Sequence, residues 1–169
     1  LFIACMDGER LVGYISLKPP TIEPFGVARY FSKEALSNTV FALCTDKEQS
    51  TFEVRGLTIS PKYRGLNLSL RLMRYALEFV VENGGKDIIA MGHNDVLGLY
   101  ENNGMNVFRD HGIKHGETVY YPMHMNVEAT LQNFSEKIQQ DVKQENDEDV
   151  CYHGAVSYTH LTLPTTPYV

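Results

Sequence analysis

The stretch SPKYRGLNLS, residues 60–69, decides how this sequence is interpreted. It follows an apolar, strand-like run at residues 51–59, and the residues after it have their apolar positions at helical spacing. Between the two lie one glycine, Gly65, and two basic residues, Lys62 and Arg64. A helix start carries unpaired N–H groups and partial positive charge, and a glycine lets a ligand come close to the backbone. The stretch is therefore either an ordinary strand-to-helix turn or a cradle for phosphate.

Length and charge limit the classes of protein to consider. The chain has 169 residues and 43% hydrophobic content, which fits one soluble globular domain. The formal net charge of -6 argues against a general nucleic-acid binder, which needs excess Lys and Arg. Much of the acid lies in residues 135–149, whereas residues 60–74 carry basic side chains and no acid. A local anion site is therefore compatible with the acidic chain.

The cysteines and the apolar runs indicate the setting. Cys5, Cys44 and Cys151 are far apart, so neither a disulfide framework nor a metal site is predicted, and a reduced, cytoplasmic location fits best. No run approaches the roughly 20 apolar residues of a membrane span. The chain begins at Leu1 inside a strand pattern, so we expect that amino-terminal elements are missing.

The order of predicted elements indicates the fold class. Residues 1–6 and 11–18 predict a hairpin, residues 51–60 a strand, and the apolar positions 72, 73, 76, 77 and 80 a helix that ends at Gly84. Further predicted elements are strands at residues 86–93, 105–110 and 117–127 and a short helix within 95–104. Residues 21–50 are irregular apart from a short helix at 32–36. This order predicts an α/β (α+β) domain with a mixed sheet.

We divide the chain into four parts. Residues 1–126 form the folded domain, and residues 127–150 are a polar helix and an acidic linker. Residues 151–156 fit the start of a second domain. Residues 157–169 are Thr- and Pro-rich without charge and are typical of translated adapter or vector sequence.

Two motifs resemble the GNAT superfamily of acyl-CoA N-acyltransferases. Its pyrophosphate loop usually runs Val-x-Pro-x-Tyr-Arg-Gly-x-Gly-x-Gly/Ala, and the matching residues here, in order, are Ile59, Pro61, Tyr63, Arg64 and Gly65. Asn67 and Ser69 stand where the family prefers Gly and Gly or Ala. The second block, VLGLYENNGMNVF at residues 96–108, resembles the family's Leu-Tyr-Glu-x-x-Gly-Phe segment, and its matching residues are Leu99, Tyr100, Glu101 and Gly104. Two motifs at proper spacing are far more specific than either alone.

The resemblance implies a mixed, mostly antiparallel sheet flanked by helices, and an acyl-CoA cosubstrate. Acetyl-CoA or another acyl-CoA would bind with its pantetheine arm along the strand and its pyrophosphate on the loop. The implied binding residues are Leu57, Thr58, Ile59, Arg64, Gly65, Leu66, Asn67, Leu68 and Ser69. The reaction implied is direct attack of an amine on the thioester, without a metal.

Glu53 and Tyr100 are the catalytic residues that the resemblance implies. Glu53 matches the strand carboxylate that serves as base in some members, and Tyr100 matches the tyrosine that protonates the departing sulfur. The alternatives are a surface acid paired with Arg55 and a core aromatic residue. His93, where many members have Asn, and His124 are more often core or rim histidines than catalysts. Cys5 and Cys44 lie in apolar surroundings and are expected to be inert.

The resemblance leaves several functions open. Acetyl transfer to a small primary amine is the simplest; the alternatives are a long-chain N-acyl amino acid synthase, with residues 21–50 lining a chain pocket, and a catalytically silent acyl-CoA-binding module. The residues Glu53 and Arg55, the run at 13–20 and the insertion before residues 29–31 resemble the branch near N-acyl amino acid and acyl-homoserine lactone synthases. Because some members of that branch are fused to a pyridoxal-phosphate-dependent domain, residues 151–154 fit the start of one. The oligomeric state stays open.

Overall fold

A computed structural model describes residues 1–22, 24–65 and 67–132 of the chain. Its strands are β1 (Phe2–Asp7), β2 (Arg10–Lys18), β3 (Thr51–Ile59), β4 (Asp87–His93), β5 (Asn106–Val107), β6 (Ile113–His115) and β7 (Thr118–Asn126). Its helices are α1 (Lys33–Ser37), α2 (Val40–Leu43), α3 (Leu68–Glu82) and α4 (Leu97–Asn102).

The strands form one seven-stranded sheet in the order β1-β2-β3-β4-β7-β5, with β6 paired to β7. Only β3 and β4 pair in parallel among the described strands; all other pairs are antiparallel. The connection between the parallel strands passes through α3, as a parallel pair requires a crossover. The expected mixed, mostly antiparallel sheet flanked by helices is therefore confirmed.

Helix α3 covers one face of the sheet through the apolar positions that predicted it. The buried side chains on this helix are Leu72, Met73, Ala76, Leu77 and Val80. They share a core with Ile88 and Ala90 of β4 and with Leu97 of α4. Gly84, at φ +75°, ends the helix in the left-handed conformation expected of a glycine after a helix.

Residues 21–50 form a second core on the opposite face. Buried apolar side chains of this segment pack on β4; they are Phe25, Val27, Phe31, Leu36 and Val40, in contact with Ile89. The predicted helix at 32–36 corresponds to α1, whose Ser32 side chain accepts a hydrogen bond from the Ala35 N–H at 3.1 Å. A 3₁₀ turn at Gly26–Arg29 and helix α2 were not predicted. The described residues of this segment, 21–22 and 24–50, therefore form a layer of the domain.

The region after α4 differs from its prediction. The strand predicted at residues 105–110 contains only Asn106–Val107, because a 3₁₀ turn at Arg109–His111 ends it. The short strand Ile113–His115 was not predicted and pairs with the start of β7. Three-residue strands have too little alternation to be recognised in a sequence.

The remaining domain predictions fall largely outside the described residues. Residues 127–132 are helical. The rest of the 127–150 segment, residues 151–156 and residues 157–169 lie beyond the described part. Within the described ranges, the structure contains no helix that is both long enough and apolar enough to span a bilayer.

Candidate active site

The sheet splits between its two parallel strands. Thr51–Glu53 of β3 pair with Asp87–Ile89 of β4, and in the described part of the chain residues 54–59 and 90–93 have no partner across this edge. The other edge of β3 is paired with β2, and the other edge of β4 with β7. The strands therefore enclose an opening whose vertex lies at Glu53, and β3 presents free backbone donors and acceptors to it.

A β-bulge lies just beyond the vertex. Gly56 pairs with Ser16 and Val54 pairs with Leu17, so Arg55 is the extra residue on β3. A bulge increases the local twist and bends the strand, which helps β3 to diverge from β4. Apart from Gly56 itself and its two chain neighbours, no described heavy atom lies within 4 Å of the position that a Cβ on Gly56 would take. The start of the free edge is therefore spacious.

The predicted arm-binding residues Leu57, Thr58 and Ile59 form the end of this free edge. Thr58 is exposed, whereas Leu57 and Ile59 are half-buried against the α3 core. A ligand with amide groups could pair with this edge as an added strand does.

The loop after β3 enters helix α3 through a tight turn that contains two residues with positive φ. Its Tyr63 hydroxyl donates a hydrogen bond to Asp7 Oδ2 at 2.5 Å, which ties the loop to the β1–β2 turn. Arg64 and Gly65 follow, both exposed, and Gly65 has φ +87°. Asn67 adopts the left-handed conformation, with φ 52° and ψ 15°. Asparagine tolerates this region, so it can replace the expected glycine here. Leu66 is outside the described residues.

The amino terminus of α3 completes the loop. Leu68 and Ser69, the first helical residues, are half-buried. The first turn, residues 68–71, contains no acidic side chain that would compete with an anion for the N–H groups. A 15-residue helix carries a partial positive charge at this end, and Arg64 lies just before it. The free edge of β3 therefore leads into a site suited to phosphate.

Glu53 lies buried at the vertex with both carboxylate oxygens engaged. Oε2 accepts a hydrogen bond from the Gly26 N–H at 2.6 Å, and Oε1 accepts one from the Val27 N–H at 2.7 Å. The residue is 2% exposed, so the alternative of a surface acid is wrong. A Cβ on Gly26 would lie 3.0 Å from Oε1, which explains why a glycine suits this position. The sequence contained no signal for this link to the 3₁₀ turn.

Tyr100 lies on α4 in the core beside α3. The residue is 8% exposed, and burial raises the pKa of its hydroxyl. The phenol is therefore protonated throughout the neutral range. Its hydroxyl makes no hydrogen bond to any other residue in the described part of the chain.

The two histidines singled out in the sequence differ in environment. His124 is buried, with Nε2 2.8 Å from Asp87 Oδ1, and Asp87 Oδ2 accepts a hydrogen bond from the Thr45 N–H at 2.7 Å. This is the environment of a core histidine. His93, at the end of β4, is partly exposed, and its ring contacts Tyr120 edge-on at a centroid distance of 6.2 Å.

The described cysteines are poor nucleophiles. Burial raises the pKa of Cys44 to about 11, although a hydrogen bond with Thr51 partly opposes the shift. Burial also raises the pKa of Cys5, against the effect of nearby Arg71. The thiolate is the reactive form, so little of it is present at neutral pH. The described ranges contain no group of three or more His, Cys, Asp or Glu residues that could hold a metal ion.

The chain belongs to the acetyltransferase (GNAT) family, whose model matches residues 1–105. No curated protein matches the chain significantly in sequence.

Solved structures of similar fold include three enzymes. The CoA-dependent acyl-homoserine lactone synthase BjaI, solved with SAM and isopentyl-CoA, has a TM-score of 0.65 and 18% identity and is matched over 82% of this chain and 64% of its own. The AHL synthase LasI has a TM-score of 0.57 and 15% identity, and it is matched over 75% of this chain and 64% of its own. Aminoglycoside 6'-N-acetyltransferase, complexed with coenzyme A, has a TM-score of 0.52 and 14% identity, and it is matched over 75% of this chain and 72% of its own. The chain thus spans less than two thirds of the two synthases, and the similarity concerns the fold.

Proposed function

We propose that the protein transfers an acetyl group from acetyl-CoA to a small primary amine by direct attack. The observation that carries this proposal is the free edge of β3, which runs from the vertex at Glu53 to the amino terminus of α3. An acyl-CoA has the matching order of groups, with a thioester, an arm containing two amides and a pyrophosphate. The family and the coenzyme A complex of the aminoglycoside acetyltransferase support it.

The pantetheine arm pairs with the free edge at Leu57–Ile59 in this proposal. The pyrophosphate lies on the loop and the helix start, residues 64–69, where backbone N–H groups and the Arg64 guanidinium meet it. Hydrogen bonds to a charged oxygen are about twice as strong as neutral ones, so this end supplies much of the affinity. The left-handed backbone of Asn67 allows the close approach.

The reaction requires two proton transfers. The amine must be neutral when it attacks the thioester carbon, and the thiolate that leaves takes up a proton. Tyr100 is the proposed donor to the sulfur, because its buried hydroxyl is protonated and has no described partner. The role of Glu53 as base remains a prediction, and its oxygens already accept two backbone hydrogen bonds.

The packing of residues 21–50 favours a short acyl donor over a long one. The apolar side chains suggested as a chain pocket are buried in their own core, with Phe25 2% and Phe31 3% exposed. A long acyl chain bound among these residues would have to displace packed side chains. An acetyl group needs no such cavity.

Thiol release by the full-length protein tests this proposal. Acetyl-, octanoyl- and hexadecanoyl-CoA are each offered with a panel of primary amines, and free thiol is measured. We expect turnover with acetyl-CoA that falls as the chain lengthens. A preference for the long donors would support the acyl amino acid synthase alternative. Tight acyl-CoA binding without thiol release from any pair would support a silent module instead.

A further inference from the structure

We infer that His93, at the open end of β4, takes the proton from the acceptor amine, and that Glu53 instead positions the layer formed by residues 21–50. This inference rests on the proposed N-acyl transfer and names a different base for it. Three sets of contacts lead to it, and they concern Glu53, the location of His93 and the surroundings of its ring.

The first observation is that Glu53 is occupied. Both oxygens accept backbone N–H groups within 2.7 Å, and the residue is 2% exposed. To take a proton, the carboxylate would have to weaken at least one hydrogen bond that holds Gly26 and Val27 in place. Losing an acceptor for a buried N–H group is costly, so these contacts favour an anchor over a base.

The second observation is the location of His93 on the opening. Side chains alternate along a strand, so Ile89, Met91 and His93 share one face of β4. Ile89 pairs with Glu53 at the vertex, and His93 lies four residues further, on the part of β4 that β3 does not cover. Its side chain is 37% exposed. His93 therefore flanks the same opening as Glu53, at the end that a solvent-borne amine can enter.

The third observation is that the ring of His93 is held but incompletely bonded. Tyr120 contacts it edge-on, and Tyr30 stacks on Tyr120 at a centroid distance of 6.3 Å. Nδ1 is buried and, in the described part of the chain, has no hydrogen-bond partner. Among the described residues, the nearest carboxylate oxygen is Asp95 Oδ2, 3.6 Å from Nδ1. Asp95 is itself held by Asn94 Nδ2 at 2.8 Å.

This arrangement assigns the two ring nitrogens. Nδ1 is shielded and faces Asp95, so we assign the N–H of the neutral ring to Nδ1. The Asp95 carboxylate then stabilises the imidazolium that forms when the ring takes up a proton. Nε2 is then the basic nitrogen and can reach the amine directly or through one water. The titratable groups next to His93 are Asp95 and Tyr120; Tyr30 and His115 follow along the same row of rings.

The proposed step begins with a neutral amine. His93 Nε2 takes a proton from the amine nitrogen, whose lone pair forms the new bond to the acyl carbon. The carbon–sulfur bond breaks and its electron pair leaves on the coenzyme A thiolate. Tyr100 gives that sulfur a proton. The imidazolium then returns its proton to solvent, and the tyrosinate regains one.

The test compares three variants of the full-length protein with the wild type. His93→Gln removes the proposed base, and His115→Gln is the matched control, because His115 is an exposed histidine on the same row of rings. Glu53→Gln removes the anchor. For each, kcat/KM with acetyl-CoA and the best amine is measured across the neutral pH range together with Tm.

We expect His93→Gln to lower kcat/KM at neutral pH by about 100-fold, the range of general-base catalysis, with Tm unchanged. The acidic limb of the pH profile, which protonation of the base produces, should disappear. His115→Gln should leave both kcat/KM at neutral pH and the acidic limb unchanged. Glu53→Gln should keep the limb and lower Tm.

Two results would overturn the inference while leaving the proposed function intact. One is wild-type turnover with a profile that His93→Gln does not change. The other is loss of the acidic limb in Glu53→Gln at unchanged Tm. Absence of turnover from the wild type with every donor and amine would overturn the proposed function and, with it, this inference.

Discussion

The Glu53 carboxylate accepts a hydrogen bond from the Val27 N–H at 2.7 Å, which joins the layer formed by residues 21–50 to the vertex of the split sheet. The second oxygen holds the neighbouring Gly26 N–H. One side chain thus fixes the segment that covers one face of the opening, at the point where β3 and β4 part.

The first prediction concerns the stability that this link provides. Glu53→Gln leaves one backbone N–H facing an amide NH₂, so the free energy of unfolding should fall by about 1–3 kcal/mol. Urea unfolding measures it. Glu78→Gln is the control, because Glu78 pairs with Arg74 on a half-exposed part of α3 and should change stability by less than about 0.5 kcal/mol. Equal effects of the two substitutions on the free energy of unfolding would contradict the role of Glu53 as an anchor.

The second prediction concerns the left-handed residue of the loop. Asn67→Val places a β-branched side chain at φ 52° and should cost about 1–2 kcal/mol, whereas Asn67→Gly should be neutral or stabilising. Thermal unfolding of both variants, with coenzyme A titrations, tests this. A valine variant as stable as the glycine variant would show that the loop does not need this conformation.

The third prediction concerns the proposed acid. Tyr100→Phe removes only the hydroxyl, so the packing of α4 and the KM for acetyl-CoA should change little. The turnover number should fall by about 100-fold, because the thiolate loses its proton donor. Steady-state kinetics separates the two parameters. A rise in KM at constant kcat would assign the hydroxyl to binding instead.

The fourth prediction concerns Cys44. Its pKa of about 11 lies above the ordinary value of 9.0, so the folded state holds the proton more tightly than the unfolded state. The sign follows: this contribution to stability is complete below about pH 9 and is lost as the pH rises towards 11. Alkylation with iodoacetamide at neutral pH should be about 100-fold slower in the folded than in the urea-unfolded protein. Mass spectrometry of Cys44 peptides measures both rates, and equal rates would contradict the burial.

Sequence patterns predicted the parts of the fold that depend on local order. The apolar spacing of α3, the hairpin turn at Gly8 and the loop around Arg64 each follow from neighbouring residues, and each is present. The left-handed Asn67 could be anticipated because asparagine tolerates that backbone region.

Contacts between distant residues could not be predicted in this way. Glu53 and Val27 are 26 residues apart, and nothing near either one indicates that they meet. Residues 21–50 have little periodicity, so the core that Phe25 and Phe31 form with Ile89 depends on the tertiary fold. In the sequence, His93 is indistinguishable from a rim histidine. Its location on the opening follows only from the end of the β3–β4 pairing at Glu53.

The most direct test of the central claim, that the loop before α3 binds the coenzyme A pyrophosphate, is calorimetric titration of acetyl-CoA into the full-length protein. Arg64→Ala should weaken binding by roughly 10- to 100-fold, since it removes charge-assisted hydrogen bonds to phosphate. Arg109→Ala, which removes an exposed arginine paired with Glu101, should leave the affinity within about twofold. Equal affinity in the wild type and both variants would contradict the account, as would no binding to the wild type at all.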